Sequence, residues 1–291
     1  MSSIVLVLIT GVGLGALYFL VASGLSLIYG LMHVLNFAHG AFLTLSAFIG
    51  WQVAQALGTA SWGSFLVSVL VGAAVGAIFA TLTELVLIRP LYERHIEQVL
   101  VTVGLSLAAV ALFEGIWGAD AITVAGPAWL KGTTDVLGAS IPNTYWVLIV
   151  AAVLVLGALV LFLQKTRYGM IIRAGVENRA MVTALGIDVR RSFTLVFAIG
   201  GAAAGIGGVL AMHWYTFVSP HLGAALLIFA FIVTVIGGLG SLTGAAIAAV
   251  LVAVLQQFAN VYLAGTGDFI VVALLAVVLL VRPRGLMGRK A

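Results

Sequence analysis

The chain has 291 residues, of which 63% are hydrophobic and 8% charged, and it carries a net charge of +4 and no cysteine. Soluble domains carry about 25% charged residues, so this composition excludes an ordinary soluble protein. The lack of cysteine excludes disulfides, thiolate metal sites and cysteine nucleophiles.

Apolar segments of membrane-spanning length follow one another along the chain. A bilayer core about 30 Å thick needs roughly 20 apolar residues per helix, and the first charged residue is Glu84. We therefore predict an all-α, polytopic transmembrane helix bundle with about eight or nine spans, in one domain over residues 1–291. The predicted spans lie near Ile4–Tyr29, Ala41–Leu57, Phe65–Ile88, Val99–Trp117, Tyr145–Leu163, Phe193–Met212, Ala224–Ile236, Leu242–Tyr262 and Phe269–Val281.

The first segment has no Lys or Arg before it, so we expect it to be kept as a span and not cleaved as a signal peptide. Whether this segment is one helix, a split helix or a re-entrant helix stays open. Every Lys and Arg except Lys131 falls on one side of the predicted topology. By the positive-inside rule that side is cytoplasmic, and it includes the C-terminus.

A polar cluster interrupts the apolar sequence after the first span, where His33, Asn36 and His39 occur together. Polar groups at membrane depth need partners or water, so this cluster is a candidate for the translocation pathway. Asn36 and Gly40 are spaced to share one helical face, although a structural cap or an interfacial loop explains the cluster as well. The candidate pathway residues are Asn36, Phe37, His39 and Gly40.

Glycines recur at the four-residue spacing that lets helices approach closely in membranes. This spacing indicates tight packing, and it is compatible with broken helices near a pathway. Two carboxylates, Glu84 and Glu114, lie near span ends. Such carboxylates either lie at the level of the lipid headgroups or serve in a proton relay. The glycine pairs are Gly11/Gly15, Gly72/Gly76, Gly201/Gly205 and Gly240/Gly244.

The basic loop near residues 165–191 contains an amphipathic segment. Apolar residues recur there at helical spacing, and Gly186 is placed to end the helix. Such a segment could lie on anionic membrane lipid or dock in a groove of a partner protein, and the residues alone leave both open. The apolar set is Val176, Ala180, Met181, Ala184 and Leu185.

Three motifs resemble branched-chain amino-acid ABC transporter permeases of the high-affinity leucine/isoleucine/valine importer type. They are Asn36-Phe37-Ala38-His39-Gly40, the segment from Gly175 to Val189, and Arg282-Pro283-Arg284-Gly285-Leu286. The resemblance implies one transmembrane permease domain whose loop near residues 165–191 couples to an ATPase. The implied coupling residues are Glu177, Asn178, Arg179, Met181, Leu185, Gly186 and Ile187.

The resemblance also implies partners: a second related permease, two cytoplasmic ATPase subunits and a periplasmic amino-acid-binding protein, in a bacterial inner membrane. ATP and Mg would bind the ATPase subunits, since the sequence has no G-x-x-x-x-G-K-[ST] phosphate loop. We expect no cofactor, no metal, no nucleic acid and no enzymatic activity in this chain. The alternatives are a secondary transporter for a small solute, an ABC permease for urea or short amides, and a purely structural membrane subunit.

Overall fold

The computed structural model describes residues 2–32, 35–92, 94–177, 181–182, 189–263 and 265–288. Within this part the chain forms a polytopic helical bundle, as predicted. Seven helices are long and apolar enough to cross a membrane, and two apolar helices are shorter. The helices are α1 Ser2–Met32, α2 His39–Leu57, α3 Trp62–Thr83, α4 His95–Trp117, α5 Asn143–Lys165, α6 Arg167–Glu177, α7 Val189–Tyr215, α8 Leu222–Gly237, α9 Leu242–Tyr262 and α10 Gly267–Val281.

The first span is one continuous helix, which settles the choice between a whole and a split segment. α1 has 31 residues and is therefore about 46 Å long. It contains no proline and no charged side chain that would interrupt its hydrogen bonds. The polar interruption of the apolar sequence falls after α1, between Met32 and His39.

The helices divide into a buried centre and an exposed periphery. In the 18-residue apolar stretch of each helix, 72%, 67% and 56% of the residues are buried in α7, α1 and α2, whereas only 17% are buried in α4 and in α5. Because α4 and α5 are apolar on their outer faces, those faces suit lipid or another membrane protein.

Several local elements were not predicted from the sequence. α3 continues into a π-helix at Glu84–Ile88 and a 3₁₀ turn at Arg89–Leu91. The segment between α4 and α5 contains a hairpin, Thr133–Val136 (β2) and Ala139–Pro142 (β3). Leu137 and Gly138 form its turn with φ of 49° and 80°, as a two-residue type I′ turn requires.

Two ends of the bundle can be distinguished by their contacts. At one end, here called the strand end, Ile122–Thr123 (β1) pairs with Phe217–Val218 (β4). At the other, here called the basic end, the amide of Leu286 donates to the carbonyl of Ile236. The segments that follow α4 and α7 contain these two strands and therefore lie at the strand end. The C-terminal segment lies at the basic end.

Two glycine pairs predicted to allow close packing pack against each other. Cβ atoms added at Gly76 and Gly205 would collide with the carbonyl oxygens of Gly201 and Gly72. The backbones of α3 and α7 therefore touch directly, which only glycine permits. The bundle-packing interpretation of these motifs is confirmed.

Two parts of the bundle, one beginning at α1 and the other at α7, have the same succession of elements. The second part is inverted relative to the first. α1 and α7 run antiparallel, because Gly24 contacts Gly200 whereas Gly207 contacts Val21. α1 is followed by a link and then by α2, and α7 is followed by a link and then by α8. Each half closes on the other, since α3 packs on α7 and α9 packs on α1. Inverted repeats of this kind are common in membrane transporters.

The α3–α7 contact gives a first prediction. Gly201→Ala places a methyl group against the backbone of Gly76 and against Ala80, and overpacking of this kind costs about 1–3 kcal/mol. We expect a lower unfolding temperature in detergent. Gly104→Ala is the control, because an added Cβ there meets nothing within 4 Å. Equal stability of the two variants would contradict the role of the glycine contact.

Candidate functional site

α2 begins deep inside the bundle. Nε2 of His39, in the first turn of α2, lies 3.0 Å from the carbonyl oxygen of Val21. Val21 is about three turns before the end of α1 at Met32, or roughly 16 Å along the helix axis. The chain therefore leaves α1, turns back alongside it, and restarts as α2 next to its middle.

α8 begins at the same place. A Cβ added at Gly40 would lie 2.7 Å from the carbonyl oxygen of Gly223, so the first turns of α2 and α8 are in direct backbone contact. The amide of Gly223 donates to Oγ1 of Thr44 at 2.9 Å, and Thr44 donates to the carbonyl of Gly40 at 3.0 Å. We call His39, Gly40, Thr44, Leu222 and Gly223 the helix-start junction.

Asn36 lies in the link before this junction. Its Oδ1 accepts a hydrogen bond from the amide of Ala38 at 3.0 Å, an Asx turn that shapes the entry into α2. The helix begins only at His39, so the interpretation that Asn36 and Gly40 share a helical face is wrong. The side-chain amide of Asn36 competes with helical hydrogen bonding just before the helix, as Asn side chains often do.

The four candidate pathway residues differ in their surroundings. Asn36, His39 and Gly40 are buried, whereas Phe37 is 37% exposed. Among the described residues, Nδ2 of Asn36 and Nδ1 of His39 have no hydrogen-bond partner. The structure thus brings three of the four into the interior and leaves the fourth at its edge.

Most of the predicted coupling residues lie outside the described residues: Asn178, Arg179, Leu185, Gly186 and Ile187. Glu177 is the last residue of α6. Met181 is 62% exposed and Val182 is buried. The predicted coupling helix, which Gly186 would end, lies mostly outside the described residues and stays a prediction. α7 begins at Val189, so this segment leads directly into a central helix.

Glu84 lies in the interior of the protein, at the end of α3. It is fully buried, and it accepts hydrogen bonds from the hydroxyls of Tyr92 and Thr194, the latter at 2.7 Å. A buried carboxylate needs such donors. Glu84 thereby joins the π-helix after α3 to the start of α7. Glu114, by contrast, lies 3.1 Å from Nε2 of His221 near the strand end.

The partners of the junction were missed in the sequence, although a repeat points to them. Met32-His33, Phe37 and His39-Gly40 have counterparts in Met212-His213, Phe217 and His221-Leu222-Gly223. Aligning these two stretches would have placed the start of α8 opposite the start of α2. Thr44 carries no such signal, because threonine is common within apolar helices.

The junction offers hydrogen bonds and close packing but no acid–base constellation. Among the described residues no group of three His, Cys, Asp or Glu side chains is placed to hold a metal ion. Glycine contacts with one threonine hydrogen bond can separate without breaking a charge pair. Such contacts are compatible with a movement of α2 relative to α8.

The chain matches known permeases along nearly its whole length. Residues 7–281 match the family described as branched-chain amino acid transport system / permease component. The high-affinity branched-chain amino acid transport system permease protein LivH of Escherichia coli is 31% identical over 96% of this chain and 94% of that protein. No solved structure matches the chain.

Two further relatives show the range of similarity. The high-affinity branched-chain amino acid transport system permease protein BraD of Pseudomonas aeruginosa is 30% identical over 97% of this chain and 95% of that protein. The fructose import permease protein FruF of Bifidobacterium longum is 28% identical over 86% of this chain and 69% of that protein. Of these relatives, the permeases named for branched-chain amino acid transport are therefore the ones that align over nearly their full length.

The junction gives a second prediction. Thr44→Val removes the acceptor for the buried amide of Gly223, which costs about 1–3 kcal/mol, whereas Thr44→Ser keeps the hydroxyl. We expect only the valine variant to lower the unfolding temperature markedly. Thr234→Val is a matched control, since the buried hydroxyl of Thr234 donates only within its own helix, to Ala230. A Thr44→Val variant no less stable than the control would exclude the proposed contact.

Proposed function

The chain belongs to the branched-chain amino acid transport permease family, and from this premise we propose that it carries leucine, isoleucine and valine across the membrane as a subunit of an ATP-driven importer. The observation that carries the proposal is the match over residues 7–281, which covers both halves of the helical bundle. A match of that extent concerns the transport domain itself and not an accessory segment.

Other subunits complete the proposed machine. A second related permease forms the other half of the pathway, two cytoplasmic ATPase subunits bind and hydrolyse ATP with Mg, and a periplasmic binding protein delivers the amino acid. The exposed apolar faces of α4 and α5 support a membrane partner, because a second membrane subunit can pack against part of them while lipid covers the rest. The basic end faces the cytoplasm in this proposal, in a bacterial inner membrane.

The helix-start junction is the element that we propose to change during transport. α2 and α8 belong to opposite halves of the inverted repeat, so a movement of one half relative to the other separates their first turns. Their contact rests on Gly40, Gly223 and one Thr44 hydrogen bond. A contact of this kind can open and reform as access alternates between the two sides.

The segment over Glu177–Val189 is proposed to transmit the ATPase movement. Its connection to α7 supports this, because α7 packs on α1, α2 and α3. Glu84 adds a second link between α3 and the start of α7 through Thr194. A displacement of the segment therefore has a direct route into the centre of the bundle.

Uptake by reconstituted vesicles tests the function. We expect the complex with its partner subunits to accumulate labelled leucine only when ATP is present. The isolated chain has no phosphate loop and should accumulate none. Accumulation by the isolated chain under an ion gradient would favour a secondary transporter. Uptake of urea, short amides or fructose in preference to leucine would refute the proposed substrate.

The coupling role is tested with Met181→Asp in the assembled complex. If Met181 docks in an ATPase groove, a charge there should weaken binding by roughly 2 kcal/mol or more, or about 30-fold. The readouts are co-purification of the ATPases and substrate-stimulated ATP hydrolysis. Met287→Asp is the control, because Met287 is 47% exposed at the basic end. If Met181→Asp keeps both ATPases and full stimulation, the segment lies only on lipid.

A further inference from the structure

A small cavity lies near the basic end, where the link between α1 and α2 meets α4 and α7. Its apolar walls include Ile28 and Met32 of α1 and Phe197 of α7. Its polar lining consists of Asn36 in the link and of Gln98 and Thr102 in α4. The volume open to a water-sized molecule is about 10 Å³.

Two amide atoms at this cavity are buried without a partner. Asn36 and Gln98 are 3% and 1% exposed. Nδ2 of Asn36 and Oε1 of Gln98 make no hydrogen bond to any residue that the structure describes. One of these atoms is a donor and the other an acceptor. A buried polar atom without a partner destabilises the fold, so each of these atoms needs a hydrogen-bond partner.

The orientation of both amides is fixed by the backbone. Oδ1 of Asn36 accepts from the amide of Ala38 at 3.0 Å, a bond that a flipped Nδ2 could not accept. Nε2 of Gln98 donates to the carbonyl of Leu91 at 2.5 Å. If the amide were flipped, Oε1 would take this place and could not donate a hydrogen bond. Exchanging oxygen and nitrogen therefore cannot supply the missing partners.

A third group completes the lining. The hydroxyl of Thr102 is fully buried and donates to the carbonyl of Val99 at 3.0 Å, which leaves its oxygen able to accept. The three polar residues that line the cavity thus have one free donor and two free acceptors among them. One water molecule can accept from the donor and donate to both acceptors, and buried waters typically make about three hydrogen bonds.

We propose that this cavity binds a single water molecule that accepts a hydrogen bond from Asn36 and donates hydrogen bonds to Gln98 and Thr102. The volume agrees with this ligand, since a cavity of about 10–15 Å³ holds about one water. The bound water ties the link before α2 to the first turns of α4. It holds the entry to the helix-start junction in the conformation described above.

The first test is a high-resolution map of the chain in its assembled complex. We expect a separate density peak within hydrogen-bond distance of Nδ2 of Asn36 and Oε1 of Gln98. In Gln98→Met, which keeps the size of the side chain but removes the acceptor, the peak should be lost or weakened. An empty cavity in the unsubstituted chain, or a side chain that satisfies both amides, would overturn the proposal.

The second test is a double-mutant cycle with Asn36→Ala and Gln98→Ala. Asn36→Ala and Gln98→Ala each also remove a separate bond to the backbone, and those two losses add. The loss of the shared water is counted only once, so the double variant should be destabilised by less than the sum of the two single shifts. The control cycle combines Asn36→Ala with Ser68→Ala. Ser68 is buried and donates to Gly50 between α3 and α2, so those two shifts should add. Additive shifts for Asn36 and Gln98 would mean that they share no water.

Discussion

Direct backbone contact between helices is the constraint on which this structure depends. Within a bilayer no hydrophobic force draws apolar helices together, so they associate through close packing and a few hydrogen bonds. Gly76 on Gly201 and Gly40 on Gly223 provide that packing at the centre of the bundle. α3 can approach α7, and α2 can approach α8, backbone to backbone only because these positions carry no side chain.

The proposed alternating access depends on this packing, because the helix-start junction joins the two halves of the inverted repeat. The two halves share their central contacts, so neither half can move without changing the environment of the other. Charges take little part at the centre, since the described charged groups lie mainly near the two ends. Glu84 is the exception, and its two hydroxyl donors leave its carboxylate satisfied between α3 and α7.

Much of the fold could be predicted from the sequence because the bilayer imposes a simple rule on apolar segments. The nine predicted spans correspond to seven long and two short apolar helices. The rule says nothing about how a helix begins inside the bundle. Asn36 was therefore assigned to a helical face, although it forms a turn before His39. Partners distant in sequence, such as Glu84 and Thr194, depend on tertiary packing that local patterns do not encode. For Gly223 the repeat of the Met-His stretch gives the only sequence signal.

The shortness of α10 has a consequence for the surrounding lipid. Its 15 residues span about 22 Å, less than the roughly 30 Å of a typical hydrocarbon core. Phe269 and Leu280, near its two ends, are 76% and 85% exposed. A lipid-facing helix of this length favours locally thinned membrane. Where α10 meets lipid, the chain length of the neighbouring lipids becomes a variable that acts on the stability of this side of the protein.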